Sequence, residues 1–240
     1  MSGADGRVAA RLGELCRRYA LSAAQGGQLR CLLEVLASDP HAPTSVTTPR
    51  EALDIHVADS LAALELELVR TAETIADIGS GPGFPGLALA VARPTARVAL
   101  IESAARKCLF IERARSAGGV GNATVVGCRA EAWAEGQGEQ DVVTARAVAP
   151  LAVLCEYGAP LLREGGVLVA WRGRRDRAEE AAAARACDEL GLEPQSPVRS
   201  EPYAGSVAHH LHVYLKVMPT PPRFPRRPGI ASKRPLGGST

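Results

Sequence analysis

Asp77-Ile78-Gly79-Ser80-Gly81-Pro82-Gly83-Phe84-Pro85-Gly86 is the stretch that decides the fold of this 240-residue chain. It follows a short apolar run, Thr74 to Ile78, and opens a segment with helical spacing, Phe84 to Val91. Strand, glycine turn and helix in that order make the first unit of a doubly wound α/β sheet, whose carboxyl edge is where cofactors bind. Glycines let the backbone approach a ligand closely and take positive φ angles.

Downstream of this unit, strands are predicted over Arg97 to Ile101, Ala123 to Val126, Asp141 to Ala145 and Gly166 to Trp171. Helices over Ala104 to Ala117, Leu151 to Leu162 and Asp176 to Leu190 separate or follow them. That alternation implies βαβ units and a parallel sheet with right-handed crossovers. Glu193 to Ser206 contains Pro194, Pro197 and Pro202 and reads as a connector to a last strand, Val207 to Val217, which could enter antiparallel. Upstream, Leu12, Leu15 and Tyr19 recur at helical spacing within Val8 to Ala20. Leu29, Leu32, Leu33 and Leu36 do so within Ala24 to Leu36. Ser38 to Pro49 reads as a loop, and a third helix is predicted from Pro49 to Leu68. Three units result: a small N-terminal helical module over 1–70, the α/β domain over 71–218, and a tail over 219–240. The tail has six prolines, five cations and no acid, and is expected to be extended and to form a local positive patch.

The composition, 46% hydrophobic and 22% charged, is that of an ordinary globular protein able to bury roughly 70% of its unfolded surface. Aromatics are only 4%, so Ala, Leu and Val must fill the core. Of 28 cations only Lys107, Lys216 and Lys233 are lysines; an arginine fork suits phosphates and guanine edges, although such richness also follows from a GC-rich genome. The net charge of +2 decides nothing. The six cysteines are dispersed, with no C-x-x-C pair and no zinc-ligand spacing, which points to buried thiols in a reducing compartment. Met1 to Arg18 lacks the apolar core of a signal peptide, and no run approaches 18 uncharged apolar residues. A cytoplasmic protein without a membrane span is expected.

A glycine turn alone is shared with dinucleotide enzymes. Two acids turn the reading toward S-adenosylmethionine. Asp77, two positions before Gly79, would repel a pyrophosphate but attract the cationic methionine end of S-adenosylmethionine, directly or through water. Glu102 ends the next strand, where a carboxylate can accept both ribose hydroxyls, a need shared with NAD. An NAD-dependent dehydrogenase therefore stays as an alternative that Asp77 argues against.

Other candidates sit apart from the loop. His56, Asp59 and Ser60 fall at i, i+3 and i+4 on one helix face. With no second ligand cluster elsewhere, no metal is expected; the face should pack beside the glycine loop and shape the substrate entrance. Arg172, Arg174, Arg175 and Arg177 follow the fifth strand at the cofactor edge, where phosphate contact competes with a solvated helix start. His209, His210 and His212 alternate along the last strand. Trp133 and Trp171 read as core.

In order along the chain, several segments resemble the RsmG family, also called GidB. They are His56-Val-Ala-Asp59-Ser60-Leu61, the Asp77 to Gly86 loop, Arg93-Pro94, Leu100-Ile-Glu102-Ser103 with Lys107, Arg129-Ala130-Glu131, and Ala145-Arg146-Ala147 with Leu151. His210 and the ending Phe224-Pro-Arg-Arg-Pro-Gly229 with Lys233-Arg-Pro-Leu236 complete the set. The resemblance runs from about residue 44 to the end. It implies a Rossmann-like class I S-adenosylmethionine-dependent methyltransferase that methylates N7 of a guanine in 16S ribosomal RNA, guanine 527 in the family. It also implies 16S ribosomal RNA or a small-subunit precursor as partner, with a monomer expected. By the same resemblance Gly79 and Phe84 line the methionine and adenine pocket, with Gly81 in the same loop. Ala130 and Glu131 flank the adenine, and Arg146 faces the cofactor and the incoming base as the catalytic residue. The chain departs from the family where a W-N-x-x-x-N-L-T stretch is usual: it has Ala37-Ser-Asp-Pro-His-Ala-Pro-Thr44, in the helical module and not in the cofactor loop. A methyltransferase acting on protein or a small molecule is the alternative.

Overall fold

Alternate residues of a strand face opposite ways. The structure, a computed structural model that describes residues 3–238, turns that alternation into two apolar layers. Residues 1 and 2, and the tail's last two positions 239 and 240, lie outside the described residues. Ile75, Val98, Leu100, Val142, Val167 and Val169 face one layer; Ala76, Ile101, Val143, Leu168 and Ala170 face the other.

The parallel strands are β1 (Thr74–Ile78), β2 (Arg97–Ile101), β3 (Ala123–Val126), β4 (Gln140–Arg146) and β5 (Leu162–Arg172). With β6 (Leu192–Pro194), β7 (Val198–Ser200) and β8 (His209–Lys216) they form one sheet in the order β3-β2-β1-β4-β5-β8-β6, with β7 also on β8. β1 pairs in parallel with both β2 and β4, so the chain reverses its direction of travel there. A crevice opens at such a switch point, beyond the carboxyl ends of the strands. β8 runs antiparallel to β5, as its proline-rich approach allowed.

The first layer is filled from α1 (Gly3–Arg18) and α2 (Ala23–Ser38), whose Leu12, Leu15, Leu29, Leu32, Leu33 and Leu36 join the same cluster as the sheet. Ser22 and Gln25 cap α2 reciprocally, side chain to backbone in both directions. The predicted helix from Pro49 to Leu68 needs correction. It is α3 (Pro49–Ala52), a π-helical stretch (Leu53–Ala58), α4 (Asp59–Leu61) and a 3-10 turn (Ala62–Glu65), broken at extended Leu66 before α5 (Glu67–Thr71). In the wide turn the Asp59 N–H reaches back five residues to the Asp54 carbonyl, a winding that apolar spacing does not reveal.

Further on come α6 (Gly86–Ala92), α7 (Ala105–Ala117), α8 (Leu151–Gly158), α9 (Arg177–Leu190) and α10 (Ile230–Lys233). The helix predicted to reach Leu162 stops at Gly158, because Leu162 already opens β5. The connector Glu193 to Ser206 holds β7 and part of β6, pieces too short and proline-rich to show alternation. The tail is irregular apart from α10, but it is docked: Phe224 and Ala231 are buried in the second layer with α8 and α9.

Candidate cofactor cleft and catalytic rim

The glycine loop is tied to β2 from within. Gly79 and Ser80 N–H donate to the Ile101 carbonyl at 2.8 and 3.1 Å, with φ of +65° at Gly79 and +55° at Gly81. Asp77 sits beneath, fully buried. Its Oδ1 accepts from Thr144 Oγ1 at 2.9 Å and its Oδ2 from the Gly86 N–H at 3.1 Å. Burial pushes the carboxyl up to about 6 against those hydrogen bonds. Each oxygen accepts one bond inside the protein, so Asp77 braces the loop from beneath. Gly86 can only be glycine here, since a Cβ would fall 2.2 Å from Leu100 Cδ2 and 2.9 Å from Asp77 Oδ2.

Above the loop lies a cleft at the β1–β4 switch point, lined by Gly79, Glu102, Ala130, Glu131, Val148 and Tyr157 among others. Glu102 immediately follows β2 and is almost buried. Its Oε2 accepts from the Gly81 N–H at 3.2 Å and its Oε1 from the Ala104 N–H at 2.9 Å, with Lys107 Nζ at 3.7 Å. A carboxylate has about four acceptor sites, so two backbone bonds leave capacity for a diol. Ala130 and Glu131 enter on a 3-10 turn (Ala130–Ala132) after β3. In their chemistry the residues fit a nucleoside ligand: backbone turned to positive φ at Gly79 and Gly81 stands beside the Glu102 carboxylate, which has acceptor sites to spare. Val148 and Tyr157 carry no motif and went unread in the sequence; the residue just before Val148, Ala147, has φ +55°.

Phe84 is not among the lining residues. It lies beside the cleft, its ring stacked on His56 at 5.3 Å. This contact joins the loop to the rim. Arg146, last residue of β4, donates from Nη1 to the Ile55 carbonyl and to Asp59 Oδ2, both at 2.9 Å, and its Nη2 lies 3.2 Å from His56 Nδ1. A guanidinium only donates, so Nδ1 is the acceptor, and the His56 proton sits on Nε2, 3.1 Å from Thr44 Oγ1. Burial, helped by Arg146, lowers the His56 pKa to about 4, which keeps the ring neutral. Asp59 Oδ1 takes His209 Nδ1 at 3.2 Å, and the Asp59 carbonyl accepts from Trp171 Nε1 at 2.9 Å. Ser60 turns its hydroxyl back to the His56 carbonyl.

The expected entrance face of His56 and Asp59 is thus assembled around Arg146, with His209, not His210, as the strand histidine that reaches it. His210 turns away to the Gly173 carbonyl at 2.9 Å. Of the arginines after β5, Arg175 grips Glu180 through two bonds and Arg172 pairs with Glu179 at 3.2 Å, as a solvated helix start would. Trp171 is core.

The family model described as "rRNA small subunit methyltransferase G" (GidB) matches residues 34–202. The chain belongs to that family. Curated relatives called ribosomal RNA small subunit methyltransferase G agree over most of their length. The one from Pelotomaculum thermopropionicum is 36% identical, covering 80% of this chain and 82% of its own. The one from Roseiflexus castenholzii is 39% identical over 80% and 83%. Among solved structures, a ribosomal protein L11 methylase from Lactobacillus delbrueckii subsp. bulgaricus superimposes with TM-score 0.54 at 15% identity, over 75% of this chain and 84% of that one. A precorrin-6y C5,15-methyltransferase from Geobacter metallireducens gives 0.51 at 16%, over 66% and 88%. At such identities they speak for the fold alone, that of the class I S-adenosylmethionine-dependent methyltransferases. For this member of the GidB family, the loop, Glu102, Ala130, Glu131 and Arg146 all lie inside the matched span, while His209 and the tail lie beyond it.

Proposed function

We propose that the protein transfers a methyl group from S-adenosylmethionine to N7 of a guanine in 16S ribosomal RNA, guanine 527 by family resemblance. The observation that supports this best is a cleft suited to a nucleoside and an arginine rim, joined through Phe84 and His56 in a chain of the GidB family. Bound S-adenosylmethionine supplies an electrophilic methyl group. The chain's own residues do the rest by positioning. Glu102 holds the ribose, Ala130 and Glu131 flank the adenine, and the Asp77 brace keeps Gly79 and Gly81 where the backbone meets the ligand. Arg146 has five N–H groups and spends three, leaving donors for guanine O6, the acceptor beside N7. N7 carries a free lone pair, so no base is required. Holding it roughly 3–3.5 Å from the methyl carbon supplies much of the acceleration. The base must leave its stack to enter, which favours a looped target. A ribosomal RNA substrate would place the enzyme's work in the cytoplasm. Separately, no helix among the described residues is long and apolar enough to cross a membrane.

One observation favours a second reading. His209 donates to Asp59 through Nδ1, which leaves Nε2 as an acceptor on a partly exposed side chain at the rim. A methyl acceptor that must lose a proton, on protein or a small molecule, would use it. The discriminating experiment maps N7-methylguanosine in 16S ribosomal RNA from cells lacking the gene, complemented with wild type, Gly79→Val or His209→Asn. The ribosomal reading expects the mark to vanish, to return with wild type and His209→Asn, and to stay absent with Gly79→Val. An unchanged mark in the deletion strain rejects it.

A further inference from the structure

The C-terminal segment reaches the wall of the cleft. The Gly229 N–H donates to Glu131 Oε1 at 3.0 Å, and Ser232 Oγ lies 2.8 Å from the Tyr157 hydroxyl. Glu131 and Tyr157 both line the cleft, yet they come from different elements, the turn after β3 and α8. The turn and α8 lie against each other, and residues 229–232 tie their cleft-lining side chains together, one bond to each.

The segment is itself fixed. Phe224 and Ala231 are buried, and the Arg226 guanidinium grips Glu156, which is 1% exposed and immediately precedes Tyr157. Arg226 Nη2 also donates to the Arg234 carbonyl at 2.9 Å, closing the segment into a loop around its own α10. Farther on, the Gly237 carbonyl accepts from Arg185 Nε and Nη2 at 2.8 and 2.6 Å. Gly229, at φ +83°, makes the turn that brings its N–H to Glu131.

We propose that residues 229–232 are positioning residues for the cofactor, holding Glu131 and Tyr157 in the arrangement that receives the purine of S-adenosylmethionine. The inference rests on the reading that Ala130 and Glu131 flank the adenine. A half-exposed glutamate without a fixed partner samples many rotamers, and ligand binding must then freeze it. One backbone donor on Oε1 removes that freedom beforehand and leaves Oε2 as an acceptor. An acceptor is what the 6-amino group of adenine requires.

The test titrates four proteins with S-adenosylhomocysteine by calorimetry and records their melting temperatures: wild type, Glu131→Gln, the chain ended at Pro228, and the two changes combined. The shortened chain keeps Phe224 and Arg226. It should raise Kd about tenfold, and Glu131→Gln should raise it as well. The combined protein should lose less than the product of the two, because one change acts through the other. A folded shortened chain with unchanged Kd, or losses that simply multiply, overturns the proposal and leaves the segment as a brace. An unchanged Kd in Glu131→Gln overturns the placement of the adenine, and the proposal with it. Should the shortened chain fail to fold, Ser232→Ala, Tyr157→Phe and their double variant replace it. Each single change should raise Kd two- to fivefold with no further loss in the double, and unchanged or multiplying losses again overturn the proposal.

Discussion

Asp77 and His56 titrate in opposite senses across the same pH range. Asp77 is raised from 3.8 to about 6, so the folded state binds more protons than the unfolded between those values, and its contribution to stability falls as pH rises through them. His56 is lowered from 6.5 to about 4, so the folded state binds fewer, and its contribution is lost as pH falls from 6.5 toward 4. Each shift is roughly two units, worth on the order of 3 kcal/mol. The two slopes oppose, and their sum in wild type should be shallow. In chemical denaturation from pH 4 to 7, Asp77→Asn should make stability climb with pH, and His56→Gln should make it decline. Slopes equal to wild type in both variants would contradict the burial assigned to these groups. Arg146→Lys should cut kcat about a hundredfold, the scale for losing one preorganised donor, with cofactor affinity little changed. Equal losses in both quantities would move Arg146 into cofactor binding. The elements that carry these residues were legible: Gly79 and Gly81 lie in the loop after β1, Glu102 follows β2 and Arg146 ends β4. Their partners were not, because Arg146 meets Asp59 and Asp59 meets His209 across 87 and 150 positions of chain, and no local pattern encodes such pairs.

The loop between β4 and α8 is pinned from α9. The Glu179 carboxylate accepts from the Leu151 N–H at 2.9 Å and pairs with Arg172, which also donates to the Ala149 carbonyl. Val148 of this loop closes over Gly79, so an anchor on a distant helix sets the shape of the cleft. Glu179→Ala strands the Leu151 N–H and leaves Arg172 without its ion-pair partner; it should cost about 1–3 kcal/mol, read as a lowered melting temperature, and should also weaken S-adenosylhomocysteine binding. Lost stability with unchanged affinity would mean that the loop keeps its place unaided. Strands β1, β2 and β3 were readable to the residue, since parallel strands are plain apolar runs between turn residues. The helix from Pro49 was not. Its π winding arises where the chain wraps Arg146 and stacks His56 on Phe84, and this tertiary demand overrides local spacing.

At the scale of the whole molecule the basic tail divides in two. Arg226 is committed to Glu156 and Arg223 to Glu189, while Arg227, Lys233 and Arg234 are exposed without an ion-pair partner among the described residues. Replacing those three with glutamine should reduce the salt slope of RNA binding by roughly 2 to 3, at about 0.7 to 0.9 per phosphate, and leave the melting temperature near wild type. An unchanged slope would take the tail out of the RNA contact. The composition revealed the charge of this segment; its docking depended on Phe224 and Ala231 finding the second layer, which six prolines had concealed. The sheet's last margin has another consequence. β6 and β7 are three residues each, Pro194 ends the first and Pro197 stands in the gap, and the opposite margin, β3, is only four residues long. Neither border offers a long row of free amides and carbonyls on which a strand from a neighbouring copy could grow. Joining β6 and β7 by replacing the prolines with threonine would supply that row, so the feature that hid these strands from a reader also guards a crowded, newly made chain against fibrous self-association.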